Sequence, residues 1–304
     1  MQKPSTNSIG LGYAVSAYGL WGLIPLYFKA VAGVAPLEVL AHRVLWSSAV
    51  LVVVLLFSQQ HSQWRVAFAT WRTITLLTLS TLLIGVNWLT FIYAVSNGQV
   101  LQSSLGYFVT PLANVLLGVL FLGERLRWLQ WLSFGLAAVA LAAPVWLLGQ
   151  FPSVALSLAV SFSLYGLLKK IIPVGGLVSL AIETLLLAPV ALGYLVVLTR
   201  EGASTTSTDH MQMVLALSGV VTTVPLLFFA AAARRLEMKT LGIVQYLTPS
   251  LQMILAVVVF GETLSIDRIA SFVIIWLAIG LYLFDLFRAR RSLKMSLAEE
   301  VVGD

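Results

Sequence analysis

The chain contains one apolar segment twice, and that duplication limits its architecture more than any other feature. Around Thr110 the sequence reads TPLANVLLGVLFLGERL, and around Thr248 it reads TPSLQMILAVVVFGETL. Without a gap, Thr110 matches Thr248, Pro111 matches Pro249 and Asn114 matches Gln252. Gly123, Glu124 and Leu126 match Gly261, Glu262 and Leu264, and Ser133-Phe134 continues the register into Ser271-Phe272. Both copies are long and apolar, so the duplicated unit belongs in a membrane. Inverted repeats in membrane proteins place a solute pathway at the repeat interface, so transport is the first function to which the sequence points.

The chain is 60% hydrophobic and 10% charged, with a mean hydropathy of +0.97. Soluble domains are about one-quarter charged, so this composition describes an integral membrane protein. Ten spans of about 20 residues take up roughly two-thirds of the 304 residues. The rest makes short loops, with no room for a soluble catalytic domain. The absence of cysteine removes disulfides, thiolate chemistry and Cys-based metal sites.

Apolar runs and turn signals predict spans near 9–31, 37–57, 74–96, 100–122, 128–148, 151–168, 176–198, 211–233, 240–260 and 266–287. The first five form one repeat (1–148), the next five a second (149–288), and 289–304 form a tail. With the amino terminus inside, fourteen of the 18 basic residues fall on the cytoplasmic side. These are Lys3, Arg65, Arg72, Arg125, Arg127, Lys169, Lys170, Arg234, Arg235, Lys239, Arg288, Arg290, Arg291 and Lys294. Arg200 and Arg268 fall outside, and Lys29 and Arg43 lie in or beside spans. This asymmetry is a positive-inside signal that places both termini in the cytoplasm. It accounts for the isoelectric point near 9.7 without a nucleic-acid partner. Five spans per repeat is an odd number, so the second copy enters the membrane inverted. Ala30-Val31-Ala32 resembles a cleavage site, but the apolar run before it is too long for a signal peptide.

Polar side chains inside a bilayer are costly and face the bundle interior or a wet cavity. Glu183 is the only carboxylate well inside an apolar run. It is either a proton-coupling or solute-contacting group, or an ion-pair partner that ties helices together. Arg43 and His42 in the second span are candidate solute contacts, and Arg43 could neutralise an anionic solute group. Alternatively it pairs with Glu38 or snorkels outward. Lys29 reads as an interfacial anchor. Asn87, Trp88 and Tyr93 of the third span and Ser103, Ser104, Tyr107 and Asn114 of the fourth form the densest polar and aromatic set. Thr222, Thr223, Gln245, Tyr246 and Gln252 are its counterparts in the second repeat. Such side chains suit a pocket for a small amphipathic solute; the alternative is hydrogen bonding between helices. Trp21 and Tyr165 occupy matching places in the first and sixth spans and join the candidate lining. Pro111 and Pro249 interrupt two helices at matched positions and are candidate gating elements. Glu124 and Glu262 read as helix-end contacts on opposite membrane faces.

No P-loop, HExxH or plausible Ser-His-Asp set is present. His61 and His210 lie in loops on opposite sides, so the three histidines cannot build one metal site. An enzyme is not expected, nor is any cofactor; an integral membrane enzyme or a sensor is the less favoured alternative to transport, and active transport would be secondary.

These residues resemble the drug/metabolite transporter superfamily, EamA type, and within it the RarD branch. The resemblance covers nearly the whole chain. It rests in the first half on His42-Arg43-Val-Leu-Trp-Ser47, Asn87-Trp88, Ser104-Leu-Gly-Tyr-Phe108, Gly123-Glu124-Arg125 and Gln130-Trp131. In the second half it rests on Ser163-Leu-Tyr-Gly166, Glu183-Thr184, Thr223-Val-Pro225, Gln245-Tyr246 and Gly261-Glu262. It implies an all-α fold of ten transmembrane helices from two inverted five-helix repeats, in the bacterial cytoplasmic (inner) membrane. It also implies a cavity lined mainly by the first, third, fourth, sixth, eighth and ninth spans. The expected partners are the lipid bilayer and a small amino-acid-like solute, usually exported, with drug efflux linked to chloramphenicol as the alternative; the chain would act as a monomer or homodimer. Thr110 departs from the Asn expected before the proline. The small multidrug relatives use a first-helix carboxylate for proton exchange, and no Asp or Glu precedes Glu38 here.

Overall fold

The computed structural model describes residues 6–58, 60, 62–123, 125–148, 153–205 and 208–263. It also describes 266, 269–270, 272–278, 280–282, 284–285 and 288. The described chain is helical: α1 (Thr6–Ala30), α2 (Pro36–Leu56), α3 (Ser62–Ala67), α4 (Trp71–Ser96), α5 (Val100–Leu122) and α6 (Trp128–Leu148) come first. They are followed by α7 (Ser153–Ile171), α8 (Gly176–Arg200), α9 (Asp209–Ala233), α10 (Met238–Gln245) and α11 (Leu247–Val258). Among the described residues, eight stretches are long and apolar enough to cross a membrane. A helix of 20 residues covers about 30 Å, the thickness of the hydrocarbon core. Residues 267–268, 271, 279, 283 and 286–287 of the tenth expected span, 266–287, lie outside the described residues, as does Glu124.

Local sequence sets the helix ends. Pro36 opens α2, where its missing N–H has no helical partner to lose. Thr70 and Thr208 accept hydrogen bonds from Thr73 N and Met211 N and so cap α4 and α9. Gly123 and Gly261, matched in the duplication, both adopt φ of +67° just after a helix, a conformation that favours glycine.

Two elements differ from the sequence reading. The ninth span is divided at Tyr246 into α10 and α11. Pro249 has no N–H to donate back to the Gln245 carbonyl, so the helical ladder skips a rung there. Pro111, at the matched position, sits in an α5 that is assigned without interruption. The short helix α3 has no hydrophobic period to announce it. It is placed by Gln63, whose Oε1 accepts from Gly175 N, and by stacking of Trp64 on Phe68.

The chain divides into two compact units: residues 1–117 with 153–262, and residues 118–152 with 263–304. In the larger unit α2 packs on α8 and α9, α1 packs on α9 and α11, and α4 packs on α7 and α8. Small residues permit close approach of helices, as of α5 to α7 and of α9 to α2. A Cβ on Gly106 would lie 2.8 Å from the Ala155 backbone, and one on Gly219 would lie 2.6 Å from that of Trp46. Buried hydroxyls of Ser48, Thr81 and Thr110 return hydrogen bonds to carbonyls four residues earlier, which leaves them satisfied in an apolar medium. The outer surface is apolar: Val190 is 72% and Leu82 57% exposed. A surface of this kind faces lipid. In the smaller unit Arg127 Nε donates to Asp285 Oδ2 at 2.7 Å, and Gln130 Oε1 accepts from Arg127 N.

Candidate functional site

The larger unit contains a cavity between its helices. Tyr18, Trp21 and Ile24 reach it from α1, Arg43 from α2, and Ile84, Asn87, Trp88 and Phe91 from α4. Tyr107 of α5, Phe162 of α7, Leu226 of α9, Gln245 of α10, and Thr248 and Gln252 of α11 complete the wall. All six spans implied by the family resemblance contribute, and the second span adds Arg43.

Aromatic rings fix the wall. Trp21 meets Phe162 edge-on at 5.3 Å, and both lie within 5.5 Å of Phe229. Phe91 contacts Phe28 and Tyr107, each at 5.6 Å. Such pairs favour offset and edge-to-face geometry, which gives the cavity stiff sides. The polar wall groups are held from behind. Asn87 Nδ2 donates to Leu158 O and Ser161 Oγ, Gln252 Nε2 to Trp21 O, and Thr248 Oγ1 to Tyr18 O. Gln245 Oε1 accepts from Asn114 Nδ2 at 2.8 Å.

Of the residues expected to line a pocket, Trp21, Asn87, Trp88, Tyr107, Gln245 and Gln252 do so. Asn114, Ser104, Thr222, Thr223, Tyr165 and Tyr246 are not in the wall. Asn114 stands behind Gln245, Ser104 donates to Pro249 O, and Thr222 accepts from Arg43. Thr223 is buried, and Tyr246 packs beside Phe108. Tyr93 is corrected outright: it is 52% exposed on the outer face of α4, because it follows Asn87 by six residues and has rotated off the inner face. Tyr18, Ile24, Ile84, Phe91, Phe162, Leu226 and Thr248 were missed as lining. Most are apolar, so only the helical period of Ile84, Asn87, Trp88 and Phe91 could have found them.

The charges settle in an unexpected way. Glu183 does not face the cavity. Lys169 Nζ lies 2.6 Å from its Oε1, which also accepts from Ser80 and Ser179, and Tyr165 donates to Oε2 at 3.2 Å. Lys169, expected at the cytoplasmic surface, is therefore buried, held down by the carboxylate one helix away. Arg43 pairs neither with Glu38 nor with solvent. Its Nε donates to Thr222 Oγ1 at 2.6 Å, and its guanidinium lies 4.4 Å from the centre of the Trp88 ring. Glu38 instead accepts from Ser204 and Thr205. His42 is half-buried beside Arg43 and outside the wall. Lys29 donates to Val259 O, next to the Phe260 ring, at the end of α11. Glu262 Oε1 accepts from Val100 N, a contact at the start of α5.

A lipid-facing helical bundle around a stiff cavity of aromatic and amide groups defines a multi-pass membrane protein built to hold a small molecule. The chain belongs to the EamA-like transporter family, whose sequence model matches residues 8–144 and again residues 152–284. It is 44% identical over 294 residues to an uncharacterized transporter of Pseudomonas aeruginosa, covering 95% of this chain and 98% of that one. It is 43% identical over 290 residues to protein RarD of Salmonella typhimurium, covering 93% and 97%. A solved crystal structure covers 90% of this chain and 97% of its own with a TM-score of 0.63 at 18% identity, which shows the same fold. The protein is a membrane transporter with a small-molecule substrate.

Proposed function

We propose that the chain is a secondary transporter that moves a small amino-acid-like metabolite across the bacterial cytoplasmic membrane by alternating access, in the export direction. Residues 1–148 and 149–288 act as inverted five-span repeats, with both termini and the tail 289–304 cytoplasmic. The observation that carries this reading is the cavity itself, whose wall is drawn from equivalent helices of both halves. Two hydrogen bonds at matched crossings support the repeat relationship. Thr248 donates to the Tyr18 carbonyl between α11 and α1, and Ser163 donates to the Thr110 carbonyl between α7 and α5. Rocking of the two repeats about this wall would expose it to each face in turn, with the proline-bearing segments at Pro111 and Pro249 yielding first.

Glu183 enters this scheme as a tie between α4, α7 and α8, since its carboxylate is occupied by four donors and lies outside the wall. The test is flux in proteoliposomes with labelled amino acids and chloramphenicol, with and without a pH gradient. Saturable, competable flux of one amino-acid class is expected. Saturable flux of chloramphenicol alone would shift the protein to drug efflux, and no flux of any solute by folded protein would contradict the reading.

A further inference from the structure

The described residues include two buried cations with opposite circumstances. Lys169 has a carboxylate at 2.6 Å. Arg43 is 4% exposed and has none within ion-pair distance among the described residues. Its Nε is used on Thr222 and its guanidinium lies against the faces of Trp88 and Phe28; among the described residues its two terminal amino groups make no hydrogen bond. A guanidinium carries five N–H donors in a planar fork that matches a carboxylate two at a time. Burying such a charge without a counter-charge is unfavourable. An intramembrane ionisable group kept in that state marks a place where its partner arrives from outside the protein.

The surroundings say what kind of partner. Among the described residues no Asp or Glu lines the cavity, so none of them demands a cationic solute. The remaining wall is aromatic, aliphatic and amide. Gln252 Oε1 is buried without a hydrogen-bond partner and can accept from a hydroxyl or amine.

We propose that Arg43 is the anion-recognition group of the cavity, and that the solute is an organic carboxylate with an apolar or aromatic body. Its carboxylate pairs with the guanidinium beside Trp88, and its body lies against Trp21, Phe91 and Phe162. A positive group on the solute is not required. This rests on the transporter reading above and narrows its substrate.

The test is equilibrium binding to the purified full chain, by calorimetry, of matched probes: 3-phenylpropanoate against 3-phenylpropanamide, and L-phenylalanine against L-phenylalaninamide. Both carboxylates should bind saturably, each at least about tenfold tighter than its amide, the difference that a charge-assisted hydrogen-bond pair supplies. Arg43→Gln should erase that difference. Arg43→Lys keeps the charge without the fork, and should weaken the carboxylates about tenfold while leaving the amides unchanged; it carries the test if Arg43→Gln does not fold. Amides binding as tightly as carboxylates, a carboxylate preference that survives Arg43→Gln, or no carboxylate binding at millimolar concentration would each overturn the proposal. The two readings fail separately. Saturable flux of neutral chloramphenicol without carboxylate binding would leave a transporter and sink the anion site. Arg43-dependent carboxylate binding without flux of any solute would do the reverse.

Discussion

Lys169 Nζ and Glu183 Oε1 lie 2.6 Å apart, with side chains only 3% and 1% exposed, and so join α7 to α8 inside the bundle. Removing one member of such a pair strands the other charge, typically at about 3–5 kcal/mol. Glu183→Gln should therefore lower the thermal unfolding midpoint sharply, and a Lys169→Met, Glu183→Leu double variant should recover most of the loss. The double-mutant cycle in detergent measures this directly. As a tie, Glu183→Gln should reduce gradient-driven flux and exchange alike. Loss of gradient-driven flux with exchange spared would make Glu183 a proton coupler instead.

Tyr165 is the weakest of the four donors to Glu183, at 3.2 Å. Tyr165→Phe keeps the ring beside Phe162 and Phe229 and removes only that bond. Hydrogen bonds to charged groups contribute about 1.5–3 kcal/mol, so the expected loss is near or below the lower end, well under that of Glu183→Gln. Thermal unfolding of the two variants side by side checks the ranking.

Asn114 and Gln245 separate orientation from contact. Gln245 is in the wall, whereas Asn114 only holds its Oε1. Asn114→Ala should raise KM for the transported solute with little change in maximal rate. The coupling energy between Asn114→Ala and Gln245→Ala should be near 0.6 kcal/mol, the scale of hydrogen bonds between membrane helices.

Glycine substitutions should divide by the space around them. Gly106→Ala drives a methyl group into the Ala155 backbone, which has no flexible end to move aside, and should destabilise by about 1–3 kcal/mol. Gly193 of α8 has nothing within 4 Å, and Gly193→Ala should stabilise by about 0.5–1 kcal/mol. Unfolding midpoints that do not differ would contradict the close approach of α5 to α7.

Most of the helices were legible because they are long apolar runs, and Pro36 and Thr208 mark where α2 and α9 begin. The break at Tyr246 was half legible: Pro249 announced it, but the matched Pro111 left α5 intact. The polar part of the wall could be read from polarity, since Asn87, Gln245 and Gln252 are costly in lipid and need a reason to be there. Its apolar part could not, because Ile24 or Leu226 looks the same facing a cavity or facing a neighbouring helix. Charge partners were the least legible. Lys169 sits 14 residues before Glu183 at the end of an apolar run, where a lysine normally marks the membrane surface, and only the crossing of α7 and α8 makes them a pair.

The central claim is that the cavity is the solute path and opens to each face in turn. The chain contains no cysteine, so a single Gln252→Cys reports on that wall alone. In right-side-out and inside-out vesicles, a membrane-impermeant maleimide should label this cysteine from both faces, and 3-phenylpropanoate should slow both reactions. Labelling from neither face, or from one face only whatever the solute, would contradict alternating access through this cavity.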